Sequence, residues 1–137
     1  MIILLPKCHL QGDTCSPNKI EADTGIKLSM KNEVGDMGTM GRYRGTPIPY
    51  GSATLQPSEN QITQNALRWL LETVKKNLAV FKENGASSIT LDLVVLHDGQ
   101  CNLEFTPDEL RSLGELGLPL TLSTSECLEE VEKMRQP

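Results

Sequence analysis

Apolar and polar positions alternate cleanly over Ile89–Leu96. Ile89, Leu91, Leu93 and Val95 fall on one side, Thr90 and Asp92 on the other, followed there by Val94 and Leu96. A period of two, with both sides apolar toward the end, predicts a strand buried on one face and covered on the other at its far end. His97-Asp98-Gly99-Gln100 predicts a tight turn, because Asp-Gly tolerates the positive φ of a hairpin. Cys101–Phe105 alternates again, with Cys101, Leu103 and Phe105 inward, and predicts a returning strand. Thr106-Pro107-Asp108-Glu109 is a capping box with proline at the first helical position. The helix it opens carries Leu110, Leu113 and Leu116 and ends at Gly117. Leu118–Ser123 then predicts a strand, and Pro119, which donates no hydrogen bond, puts it at a sheet edge or stands at its start.

A long helix is predicted over Glu59–Asn84, with Ser58 and Gln61 as a capping box and Gly85 as the stop. Leu67, Leu71, Val74, Leu78 and Phe81 recur at spacings of four and three and form one stripe that Trp69 and Leu70 widen. Such a stripe fits a helix lying across a sheet. Met1–Pro6 predicts a first strand, as does Lys7–Leu10. Ser16-Pro17 predicts the cap of a short helix that ends at Gly25, before the alternation Ile26-Lys27-Leu28-Ser29. This order repeats that of 101–123, and suggests two related β-α-β units in one sheet. Residues 31–57, with glycines at 35, 38, 41, 45 and 51, predict turns and short edge strands, Arg42–Arg44 and Tyr50–Leu55 among them. A terminal helix capped by Ser125 is predicted over Glu126–Arg135.

These elements predict one α+β domain over residues 1–137: a mixed or mainly antiparallel sheet, one long helix, and two or three short capped helices. Aromatic residues are 4% of the chain, so its core must be aliphatic. No run of 18 apolar residues exists, which argues against a membrane-spanning helix. The opening residues lack a basic region and read as a strand rather than a signal peptide, so the four cysteines are expected as reduced thiols in a cytoplasmic protein. Residues 1–85 carry ten Lys or Arg against eight Asp or Glu (net +2), and residues 86–137 carry three against ten (net −7). That balance disfavours nucleic acid, whose phosphates need clustered cations. It suits a basic protein partner.

No segment arranges side chains so as to identify a reaction. Cys8, His9, Cys15, His97 and Cys101 are metal-ligand types but lack the paired Cys-x-x-Cys spacing of zinc sites. They carry no cofactor expectation. Cys15, just ahead of a helix cap and near His9, has the ingredients of a nucleophile, but a short side chain before a turn explains it equally well. Gly35–Gly41 lacks the strand, the helix and the Gly-Lys-Ser/Thr of a phosphate loop. Arg42, Tyr43, Arg44 and Tyr50 are the types enriched at binding hot spots, and with Glu126, Glu129 and Glu130 they form the expected partner-binding set.

Two blocks, Gly12-Asp13 through Gly35-Asp36 and Cys101-Asn102-Leu103-Glu104-Phe105-Thr106-Pro107 through Leu120-Thr121-Leu122-Ser123, resemble a bacterial family of small α+β proteins known as a domain of unknown function. The resemblance implies an immunity-type role beside polymorphic toxins and transfers no catalytic residue. The expected function is therefore a non-enzymatic binding protein, an immunity or inhibitor protein that occludes a basic toxin. The alternatives are a small-molecule-binding protein or enzyme with a pocket near Arg42–Tyr50 and His97–Cys101, and a homo-oligomer built on the Leu67–Phe81 stripe or the Pro119 strand.

Overall fold

A computed structural model describes residues 2–58 and 65–127. The chain runs β1 (Ile2–Gly12), α1 (Pro17–Thr24), β2 (Ser29–Asn32), β3 (Gly51–Leu55), α2 (Ala66–Glu83), β4 (Ser88–His97), α3 (Pro107–Leu116) and β5 (Leu120–Glu126). The five strands form one mixed sheet in the order β2-β3-β1-β4-β5. β1 is the spine: β4 pairs with it antiparallel from Ile2↔His97 to Gln11↔Ser88, and β3 from Cys8↔Leu55 to Gly12↔Gly51. Pro6 lies where β1 has β4 beside it but not yet β3, a position that tolerates a missing donor. β5 adds to β4 in parallel, Leu91↔Leu120 through His97↔Glu126.

The alternation explains which face is dry. Cys8, Leu10, Ala53, Leu55, Ile89 and Leu91 share one face and form a core with Ile20 of α1, Phe81 of α2 and Leu116 of α3. Along α2, Leu67, Leu70, Leu71 and Val74 are buried, while Trp69 and Leu78 pack against the core partly exposed. The stripe is thus consumed within one copy of the chain. α2 begins at Ala66 among the described residues; the expected start at Glu59 with its Gln61 cap lies outside them. Both short helices take the caps their sequences promise. Ser16 Oγ accepts from the Lys19 amide and Gly25 turns left-handed at φ 72°. Thr106 and Glu109 complete a reciprocal box, with Gly117 at φ 65°.

Three expectations are corrected, on 101–105, 42–44 and 125–126. Cys101–Phe105 is no strand: β1 and β5 occupy both sides of β4, so no partner is left for it, although Cys101, Leu103 and Phe105 still turn inward as half-buried positions. In α3, which forms where its caps predict, Leu110 is 56% exposed, because steps of three residues drift about 60° each around a helix and carry it away from buried Leu116. Arg42 and Tyr43 lie in a 3-10 turn, Gly41–Tyr43, rather than a strand. Ser125 and Glu126 belong to β5, so no helix starts there; residues 128–137 lie outside the described set. The two β-α-β units also differ. β4 and β5 are neighbours, whereas β1 and β2 are both antiparallel to β3, which separates them.

Candidate functional site

Residues 30–50, from the bulged end of β2 to the start of β3, depart from the regular sheet as a folded excursion. Its two arms are tied by Gly35 N to Ile48 O at 2.7 Å, Ile48 N to Asp36 O at 2.8 Å, and Gly38 N to Thr46 O at 2.9 Å. Gly45 N closes the tip onto Gly38 O at 2.9 Å. At the root, Asn32 Nδ2 donates to Tyr50 O at 2.8 Å, and Glu33 Oε1 accepts from Ser16 Oγ and the Asn18 amide at 3.1 and 2.8 Å. Gly51 sits where a Cβ would overlap the Cys15 carbonyl, so only glycine lets β3 pass this close to the α1 approach. The excursion is anchored through its backbone.

Its surface is unusual for a polar chain. Six large hydrophobic side chains are exposed among the described residues, and four of them are here: Met30 (79%), Val34 (46%), Met37 (60%) and Met40 (79%). Tyr43 and Tyr50 meet edge to face at 5.8 Å, and the Arg42 guanidinium lies 5.5 Å from the Tyr43 ring centre. The local carboxylates are already engaged. Glu33 holds α1, Asp36 Oδ2 accepts from the Glu33 amide at 2.8 Å, and Lys31 pairs with Glu21 at 2.5 Å. Leu28 N donates to Glu21 as well, and the Lys31 hydrogen bond, followed by this one, holds the Glu21 carboxyl below its usual range. The excursion therefore presents methionines, two edge-to-face tyrosines and the Arg42 and Arg44 cations.

Only part of the expected binding set gathers here. Arg42, Tyr43 and Tyr50 come together with exposed Arg44 beside them. Glu126 ends β5 on the opposite edge of the sheet, next to His97; Glu129 and Glu130 lie outside the described residues. The expected pocket joining Arg42–Tyr50 to His97–Cys101 is not formed. Gly51 adjoins Gly12 at one end of β1 and His97 adjoins Ile2 at the other, and ten residue steps of strand span about 33 Å.

The metal-ligand types do not converge either, and no group of three His, Cys, Asp or Glu side chains is placed for a metal among the described residues. Cys8 is fully buried between Leu55 and Leu91, and this burial pushes its thiol up to about 12. Cys15 is raised too, by burial and then by the Glu33 charge, the reverse of what a nucleophile needs. Cys101 is half-buried near the far turn, where His97 Nδ1 lies 2.9 Å from Gly99 O.

One polar cluster escaped the sequence reading. His9 Nδ1 is 3.1 Å from Thr54 Oγ1, and its Nε2 is 3.8 Å from Asp92 Oδ2, on the sheet face opposite the core. Asp92 Oδ1 is buried and makes no hydrogen bond. Thr, His and Asp in this order evoke acyl-transfer chemistry, yet Thr54 is only 5% exposed and sits inside the β3 ladders, whose amides are paired. Among the described residues, no donors converge there on a developing oxyanion. A cleft of about 470 Å³ between the starts of α2 and α3 fares no better, since its charges pair locally, Arg68 with Glu72 at 3.4 Å and Arg111 with Asp108 at 3.1 Å.

Sheet and helices define an α+β protein, and no helix among the described residues is long and apolar enough to cross a membrane. No protein-family model, curated protein or solved structure matches the chain.

Proposed function

We propose that this chain is a non-enzymatic binding protein that grips a protein partner with the 30–50 excursion. The observation that carries the reading is the concentration of exposed Met30, Val34, Met37 and Met40 beside Tyr43, Tyr50 and Arg42 on a segment whose backbone is fixed by its own hydrogen bonds. Methionine adapts to a partner's shape, tyrosine and arginine supply anchors, and a loop already ordered loses little entropy on docking. Anchor chemistry accompanied by no assembled reactive centre among the described residues favours recognition over turnover.

The narrower reading is an immunity or inhibitor protein of the cytoplasm that occludes a basic toxin. It rests on the net −7 of residues 86–137, which would steer a cationic protein. Steering of this kind requires an association rate that falls as salt rises.

A photo-crosslinking residue at Met40, compared with one at Lys76 on the exposed side of α2, tests the anchor. Mass spectrometry of the Met40 adduct identifies the partner, and titration of the purified pair then compares the native chain with Tyr43→Ala. Loss of a hot-spot tyrosine should weaken the complex about thirtyfold. Equal crosslinking from both positions, or an unchanged affinity in Tyr43→Ala, refutes the reading.

A further inference from the structure

The two edges of the sheet are treated differently. The β2 edge is short, four residues, and its register shifts between Ser29 and Asn32. It also carries Lys31, and Met30 takes a left-handed φ of 49°. A bulge, a lysine and a twisted backbone are the devices that stop a foreign strand from adding. The β5 edge has none of them. Its seven residues, Leu120–Glu126, keep one unbroken register with β4 and contain no proline and no lysine. Six of the seven are exposed.

The hydrogen bonds show which backbone groups this edge offers. Leu91 N donates to Pro119 O at 2.9 Å, and Cys127 N donates to His97 O at 3.0 Å. In a parallel ladder these fix the odd-numbered residues of β5 as those bonded to β4. The N–H and C=O groups of Leu120, Leu122, Thr124 and Glu126 therefore point outward, where no strand pairs with them among the described residues. Leu122 lies on the helix side of the sheet yet is 49% exposed, so the helices leave it uncovered.

We infer that β5 is a docking edge that accepts an extended, basic segment of another protein as a sixth strand, independently of the 30–50 excursion. Backbone pairing supplies the affinity in this mode and side chains the selectivity. Leu122 offers an apolar contact for a neighbouring residue on the incoming strand, and Glu126 marks one end of the edge with a carboxylate. Charge selects the occupant. β5 belongs to the part of the chain with three Lys or Arg against ten Asp or Glu. A second copy docked edge to edge would set two such acidic regions against each other, whereas a segment rich in Lys and Arg would relieve the excess.

The test uses the full chain, isotopically labelled, and two synthetic heptapeptides. One alternates Val or Leu with Lys or Arg, and the other carries Glu at the charged places. The basic peptide should bind saturably and move the amide signals of Leu120, Leu122, Thr124 and Glu126 more than those of Thr121, Ser123 and Ser125. The acidic peptide should bind at least about tenfold more weakly. Thr124→Pro removes an outward donor that β4 does not use and should weaken binding of the basic peptide by about tenfold or more. Thr124→Lys keeps every backbone group and should weaken it as well, which serves if the proline variant fails to fold. Tyr43→Ala should leave it unchanged. Absence of saturable binding, equal affinity for the two peptides, or indifference to both Thr124 variants overturns the proposal. Light scattering that shows a dimer abolished by Thr124→Lys overturns it too, in favour of a second copy.

Discussion

The Cys8 thiol offers the sharpest test of the core. Cys8 is fully buried on β1 with Leu55 across one ladder and Leu91 across the other, and burial alone raises its pKa from 9.0 to about 12. The protonated thiol is neutral, so the folded state holds this proton more tightly than the unfolded chain does. Its contribution is complete below pH 9.0 and is lost as pH climbs toward 12. Each pH unit in that window is worth about 1.4 kcal/mol, so some 3 kcal/mol is gone by pH 11 and about 4 kcal/mol at the end. For a domain stabilised by about 5–15 kcal/mol that is a large fraction. Urea unfolding followed by circular dichroism from pH 7 to 11 measures it, with Cys8→Ala as the reference that shares every other titrating group. The variant should start about 1–2 kcal/mol less stable and lose less with alkali, so that the two curves meet at about pH 10 and cross above it. Curves that stay parallel across pH 9–11 would refute the claim that this thiol is buried. Thiol labelling gives an independent reading: half-buried Cys101 and Cys127 should react in the native state, and Cys8 only as fast as the chain opens.

Three further outcomes follow from the packing. Phe81→Ala removes the largest fully buried side chain among the described residues and should cost about 3–5 kcal/mol in urea unfolding. Thr106→Ala breaks the reciprocal box at the start of α3 and should cost about 1 kcal/mol, with Thr106→Ser recovering most of it. Glu21→Gln should flatten the acid limb of stability, because a carboxyl held low by Lys31 and the Leu28 amide contributes fully above its unfolded pKa near 4.5 and is lost as pH falls through its folded value. A variant whose acid limb matches the native curve would remove Glu21 from that account.

What the sequence disclosed was local. The alternation of Ile89–Leu96, the stripe from Leu67 to Phe81 and the Ser16 and Thr106 caps each depend on neighbours within a few residues, and each stands in the structure. What it concealed was long-range. Cys101–Phe105 alternates as a strand does, but pairing depends on vacant edges, and β1 and β5 had filled both sides of β4. The His9–Thr54–Asp92 contact joins three strands, with His9 and Thr54 45 positions apart, and it requires the registers of β1 with β3 and β4. Alternation could place His9 opposite Cys8; nothing local could place Thr54 beside it. The 30–50 excursion was half legible, since Arg42, Tyr43 and Tyr50 stood out by type, while the methionines that share the surface did not.

Architecture explains why recognition should divide between two places. A spine of eleven residues carries ladders on both flanks, and its buried side chains are spoken for by three helices. The molecule can then vary only where backbone leaves the layers or where a layer ends. The excursion is the first kind of place, tied down by its own carbonyls, so its side chains can change without disturbing the core. The β5 edge is the second kind, and there the proposed binding group is the backbone itself, which has β4 on one side only among the described residues. On the proposed reading, the first would recognise partner side chains and the second extended conformation and charge. Substitutions in one should therefore leave binding at the other unaltered, because β3, β1 and β4 stand between β2 and β5 in the sheet and distant sites without shared partners act additively.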